Sequence, residues 1–111
     1  MVRLATDLWI AAYRARLDAA GIYCHVIARG DATAGAVLVK LATMDGRASL
    51  WARAYGTNFK LVWEQTAPTG PESEVDAEIS RRRRDDRDLW VLEIEDRQGR
   101  HLLDEMDGLE P

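Results

Sequence analysis

The chain has 111 residues, of which 15 are Lys or Arg, 19 are Asp or Glu and one, Cys24, is cysteine, and 47% of the sequence is hydrophobic. This length fits one ordinary domain with one core that stands without a metal or disulfide staple, and a lone cysteine excludes both an internal disulfide framework and a Cys-rich zinc module. The formal charge of -4 argues against a general nucleic-acid coat protein. Asp7, Arg14 and Arg16 interrupt the N-terminal apolar stretch, so no signal peptide is expected. The uncharged run Ala19 to Ala28 reaches about half of the roughly 20 residues that cross a bilayer, so the expectation is a cytoplasmic protein without a membrane segment.

Thr6 is an N-cap type with Asp7 well placed in the first turn, and Gly21 stands where a left-handed C-cap belongs. Together they bracket a helix over 7–20. Its polar arc is narrow, so it should be largely buried, with Arg16 beside Trp9 and forced to snorkel or to meet an anion. Ile22 to Arg29 alternates with period two and reads as a strand that places Cys24 and His25 on opposite sides. After the small-residue loop Gly30 to Gly35, the runs Ala36 to Met44 and Arg47 to Tyr55 flank Asp45-Gly46, a hairpin signal.

A two-residue loop there pairs Leu41 with Leu50 and Val39 with Ala52 on one face, and Lys40 with Trp51 and Leu38 with Arg53 on the other. A fourth strand, Phe59 to Gln65, follows Gly56-Thr57-Asn58. A four-residue loop aligns Phe59, Leu61 and Trp63 with Ala54, Ala52 and Leu50, whereas a three-residue loop pairs Trp51 with Trp63 and flips the strand. Pro71 suits the first position of a second helix running to about Asp86, with a thin apolar stripe of Val75 and Ile79. A strand over Leu89 to Glu95 turns at Asp96 to Gly99 toward a partner at Arg100 to Leu103.

The order is α-β-β-β-β-α-β-β. Strands bracketed by helices imply an α+β single domain over 1–103, with a mainly antiparallel sheet and two helices packed on it. Residues 89–111 hold 2 basic and 7 acidic groups, so 104–111 reads as a solvated acidic tail.

The sheet face carrying Lys40, Trp51, Arg53 and Lys60, with Tyr55 nearby, interleaves cations with rings, the arrangement used for stacking bases and tracking phosphates. It is the candidate binding surface of a non-enzymatic binding or adaptor module, with single-stranded RNA as one ligand and a protein partner as another. The competing reading is an enzyme on a small anionic substrate, with His25, His101 or Asp104 as proton carrier and Arg16 or Arg29 as anion clamp. Pairing of exposed strand edges would instead give a homo-oligomer. Arg81 to Arg84 do not share one helix face, and Glu78, Asp85 and Asp86 lie at ion-pairing spacing, so this run reads as a solvated helix.

No cofactor or metal motif is present in the sequence. The glycines of Gly30 to Gly35 precede a strand, whereas those of a phosphate cradle open a helix. His101, Asp104 and Glu105 form a candidate metal or proton-relay cluster, but a ligand set needs a convergence that spacing alone does not show, so they read as part of a terminal strand and acidic tail.

Three segments carry a resemblance: RLATDLWIAAYRARL (Arg3 to Leu17), RGDATAGAVLVKL (Arg29 to Leu41) and DLWVLEIEDRQGRHLLDE (Asp88 to Glu105). In order and over nearly the whole chain, they resemble a family of short bacterial proteins catalogued only as a domain of unknown function. The resemblance implies a single-domain cytoplasmic bacterial protein. It assigns no reaction, cofactor or catalytic residue to any position.

Overall fold

In chain order the elements are β1 (Val2–Arg3), α1 (Thr6–Ala19), β2 (Tyr23–Ala28), β3 (Val37–Ala42), β4 (Arg47–Tyr55), β5 (Leu61–Pro71), α2 (Glu72–Asp85), β6 (Trp90–Glu95), a 3-10 turn (Leu103–Met106) and β7 (Leu109–Glu110). The structure, a computed structural model, describes residues 2–111. Five strands form one sheet in the order β2-β6-β3-β4-β5, and β1 and β7 form a separate parallel pair. Only β3 and β6 run parallel within the large sheet, because the chain crosses over through β4, β5 and α2 before β6 returns beside β3. The α+β class and the order α-β-β-β-β-α-β follow the sequence expectation; Arg100 to Leu103 form no strand beside β6, and β1 and β7, not expected from the sequence, pair with each other outside the large sheet.

A helix covers each face of the sheet. Trp9, Ile10, Tyr13 and Leu17 of α1 pack on Val37, Val39, Leu41, Trp90, Leu92 and Ile94. On the other face, Val75 and Ile79 of α2 pack on Leu38, Ala48, Leu50, Leu89 and Val91. β3 is therefore buried along its whole length, as a strand apolar on both sides must be. Helix α1 buries one stripe rather than most of its circumference, leaving Leu8 56% exposed. The stretch 104–111, expected as a solvated tail, contributes buried Met106, and Leu103 beside it lies in the same core.

The hairpin between β3 and β4 differs from expectation by one residue. Thr43 N donates to the Arg47 carbonyl at 3.2 Å, so the loop is Met44, Asp45 and Gly46, with Met44 and Gly46 in the left-handed region at φ 65° and 83°. Val39 then faces Trp51, and Lys40 faces Leu50. A one-residue change of register moves every side chain of a strand to the opposite face. Lys40 and Trp51 consequently lie on opposite sides of the sheet, and the cation-and-ring face expected for Lys40, Trp51, Arg53 and Lys60 is not formed. Between β4 and β5, Arg53 faces Trp63 and Trp51 faces Gln65, which puts Trp51 and Trp63 on the same side.

The loop 29–36 ties three elements together. The carbonyls of Thr33 and Ala32 accept from the N–H groups of Thr6 and Asp7, which satisfies the start of α1 in place of a side-chain cap, and the Thr6 hydroxyl donates to the Gly35 carbonyl at 2.9 Å. Trp90 Nε1 donates to the Asp31 carbonyl at 2.7 Å. A Cβ on Gly35 would stand 2.4 Å from the Asp88 carbonyl oxygen and 2.8 Å from that of Asp31, both rigid backbone. Gly35→Ala should therefore cost about 3 kcal/mol and lower the midpoint of thermal unfolding by more than about 10 °C. Calorimetry of the variant showing an unchanged midpoint would contradict this packing.

Candidate functional site

On the α2 side, the register buries Lys40 to 4% exposure under the first turn of the helix. Its Nζ lies 2.8 Å from both Glu72 and Asp76 of α2, and 3.6 Å from Glu93 of β6. Burial pulls the Lys40 pKa down, but the bonds to Asp76 and Glu72 and the field of Glu93 outweigh it and hold the pKa above the usual lysine value. The ammonium is retained through the neutral range, and the stability its partners supply is present below the ordinary lysine pKa and lost only as pH rises through the raised one. Further along the same face, His25 stands opposite Glu93 and Tyr23 opposite Glu95.

On the α1 side, Trp51 is half-buried, donates from Nε1 to Ser49 Oγ at 3.0 Å and lies 4.3 Å, ring to ring, from His101. His101 Nδ1 accepts from Leu103 N at 2.9 Å, and its carbonyl accepts from the Tyr13 hydroxyl at 2.6 Å. Burial lowers the His101 pKa below the ordinary histidine value against the opposing pull of Asp104. Trp63 stacks on Trp9 at 5.3 Å, and the Arg53 guanidinium lies over Trp63 at 5.9 Å from its centroid.

A wedge opens where β3 and β4 part. Their ladder ends at Val39 and Trp51, while β3 continues back to Val37 along β6 and β4 continues to Tyr55 along β5. Register shifts around Leu50 mark bulges in the β4–β5 ladder, and a bulge adds twist that turns the rest of the strand aside. The cleft so formed holds about 470 Å³, within the range of small-molecule sites. Leu38, Ala52, Leu61 and Leu89 supply apolar lining, and Arg3 of β1, Arg53 of β4, Arg82 and Asp85 of α2 and Asp86 also line it. Arg82 also donates from Nε to Glu78 at 2.9 Å.

The six residues singled out from sequence are dispersed. Arg53 lines the wedge, Trp51 contacts His101 and Lys40 lies under α2. Lys60 is exposed at the β4–β5 turn. Arg16 pairs with Glu105, which answers its need for an anion, and the Arg29 guanidinium covers the Trp90 ring at 5.0 Å. His25 and His101 occupy opposite faces of the sheet, and neither lines the wedge. Glu78 pairs with both Arg81 and Arg82. The groups that sequence reasoning did not bring together are Glu72, Asp76, Glu93 and Glu95 around Lys40 and His25, and Arg3 and Arg82 around the wedge. The first set depends on the parallel pairing of β3 with β6, for which the sequence has no local signal.

These features define a small α+β protein whose five-stranded sheet is sandwiched between two helices. The sequence model of a family described as "Protein of unknown function (DUF1491)" matches residues 4–104, and the chain belongs to that family. A crystal structure of a DUF1491 family protein from Caulobacter crescentus CB15 is 41% identical, covers 97% of this chain and 98% of its own, and superposes with a TM-score of 0.81. An NMR structure of a DUF1491 family protein from the same organism is 40% identical over 97% of each chain, with a TM-score of 0.80. The solution structure of protein Atu0922 from A. tumefaciens is 31% identical, covers 85% of this chain and 86% of its own, and gives a TM-score of 0.73. No curated protein matches the chain. Among the described residues, no helix is long and apolar enough to cross a membrane.

Two expectations follow from these environments. Lys40→Met leaves Glu93 buried opposite the remaining carboxylates without its ammonium, and should cost about 3 kcal/mol at pH 7. Urea unfolding at pH 7 reads this number, and an unchanged free energy of unfolding would contradict the network. His101, with its folded pKa depressed, binds fewer protons folded than unfolded as pH falls below about 6.5. It should therefore draw stability down from that pH until its own lower pKa is reached. An NMR titration of its Cε1 proton checks the direction, and a midpoint above that of a random-coil histidine would refute it.

Proposed function

We propose that the protein is a binding module for a small anionic molecule with an apolar part, held in the wedge between β3 and β4. The observation that carries this reading is that arginines from three separate elements, Arg3, Arg53 and Arg82, line one cleft with apolar walls. Arginine is suited to an acid group because its planar fork matches a carboxylate or phosphate in two contacts and keeps its proton at all ordinary pH values. Asp85 and Asp86 line the same cleft and repel an anion beside them, which favours the part lined by Arg3 and Arg53 for the acid group. The apolar body then rests on Leu38, Ala52 and Leu89. This reading retains Arg53 from the sequence-derived set and replaces the outer sheet face with a cleft.

Octanoate is a suitable probe, with 1-octanol as its uncharged counterpart. Titration of octanoate into the full chain, followed by amide NMR, should shift Leu38, Ala52 and Leu89 saturably. Octanol should shift them less, and Arg53→Gln should weaken octanoate at least five-fold. Unmoved amides at these positions refute the site, and equal responses to octanoate and octanol refute its preference for an anion.

A further inference from the structure

At the other end of α2 from the wedge, His25 of the edge strand β2 stands across the ladder from Glu93 of β6, and Glu95 lies two residues further along the same face. One donor atom from each of the three lies within 4.8 Å of the other two. The Glu93 side chain is only 13% exposed, yet its oxygens stop 3.7 Å from His25 Nε2 and 3.6 Å from Lys40 Nζ, and it makes no hydrogen bond among the described residues. The imidazole is in the same condition, for its buried Nδ1 has no partner. A separation of 3.7 Å is too long for a hydrogen bond. It is close to what two ligands of one ion require, since donors about 2.1 Å from a metal stand roughly 3.0 to 3.4 Å from each other. Charge points the same way. Lys40, 3.6 Å from Glu93, gives its two short bonds to Glu72 and Asp76, so it offsets the Glu93 charge only in part, and Glu95 has no ion pair among the described residues.

We propose that His25, Glu93 and Glu95 hold a divalent transition-metal ion of the zinc or manganese class. One imidazole nitrogen with two carboxylate oxygens is a mixed donor set that suits such ions, and three protein ligands leave positions for water. Access is direct, because β2 is an edge strand and Tyr23 beside the cluster is 60% exposed. Lys40 opposes the ion from the Glu93 side but is held by its two bonds to α2, leaving the His25 side open.

Calorimetric titration of Zn²⁺ into the chelator-treated full chain should give one site. His25→Gln and Glu95→Gln, both at partly exposed positions, should each weaken it at least ten-fold without moving the unfolding midpoint of the metal-free protein. Independently of any variant, Mn²⁺ should broaden the amide signals of residues 23–26 and 92–96. Absence of both heat and broadening, undiminished affinity in the two variants, or broadening centred on Asp104 to Asp107 instead would each overturn the assignment.

Discussion

The arrangement of both faces of the sheet rests on the three residues that reverse the chain between Thr43 and Arg47. Asp45 fixes that reversal: its carboxylate accepts from the Thr43 hydroxyl at 2.6 Å and from Arg47 N at 3.2 Å, and the bond from Thr43 is the leading cause of its lowered pKa. The Gly46 carbonyl then accepts from Glu72 N at 2.9 Å, so the same turn receives the first residue of α2. Because strand side chains alternate, the odd loop length decides which side each residue of β4 takes. Leu50 joins Val75 and Ile79, while Trp51 joins the α1 core.

From this follows the separation of charge along α2. Its first turns bring Glu72 and Asp76 to the buried ammonium of Lys40, and its last turns carry arginines beside the apolar wedge. Acidic groups in the first turn and basic groups in the last oppose the helix dipole at both ends. Only Val75 and Ile79 are buried along its length, so the helix is held as much by Lys40 as by its thin apolar stripe. A buried ion pair of this kind adds little net stability over an apolar replacement, but it penalises any docking that leaves the ammonium unpaired.

Elements with a local signal were legible in the sequence. The helix near Thr6, the strand with alternating Cys24 and His25, the continuous apolar run of β3 and the Pro71 start of α2 all appear within a residue or two of expectation. Loop lengths were not legible, because Asp45-Gly46 fits a two-residue turn and a three-residue one equally well, and choosing the shorter placed Lys40 and Trp51 together. The positions of Glu93 and Glu95 beside His25 and Lys40 depend on a crossover more than 40 residues long by the register itself, as in Lys40 against Glu93. Burial of Met106 was hidden by the acidic residues around it, since a single apolar position in a short 3-10 turn leaves no periodic trace.

β6 stands between β2 and β3, although it is the last strand of the large sheet to be reached along the chain. Until Trp90–Glu95 emerges during synthesis, β2 has no neighbour in that sheet and one edge of β3 stays open. The β3–β4–β5 meander can pair early, but closing the gap requires partners far apart in sequence, a slow step that keeps unpaired edges exposed in the meantime. A nascent chain halted before Trp90 would thus be a three-stranded fragment with an uncovered apolar strand at its margin, prone to stick to its own kind.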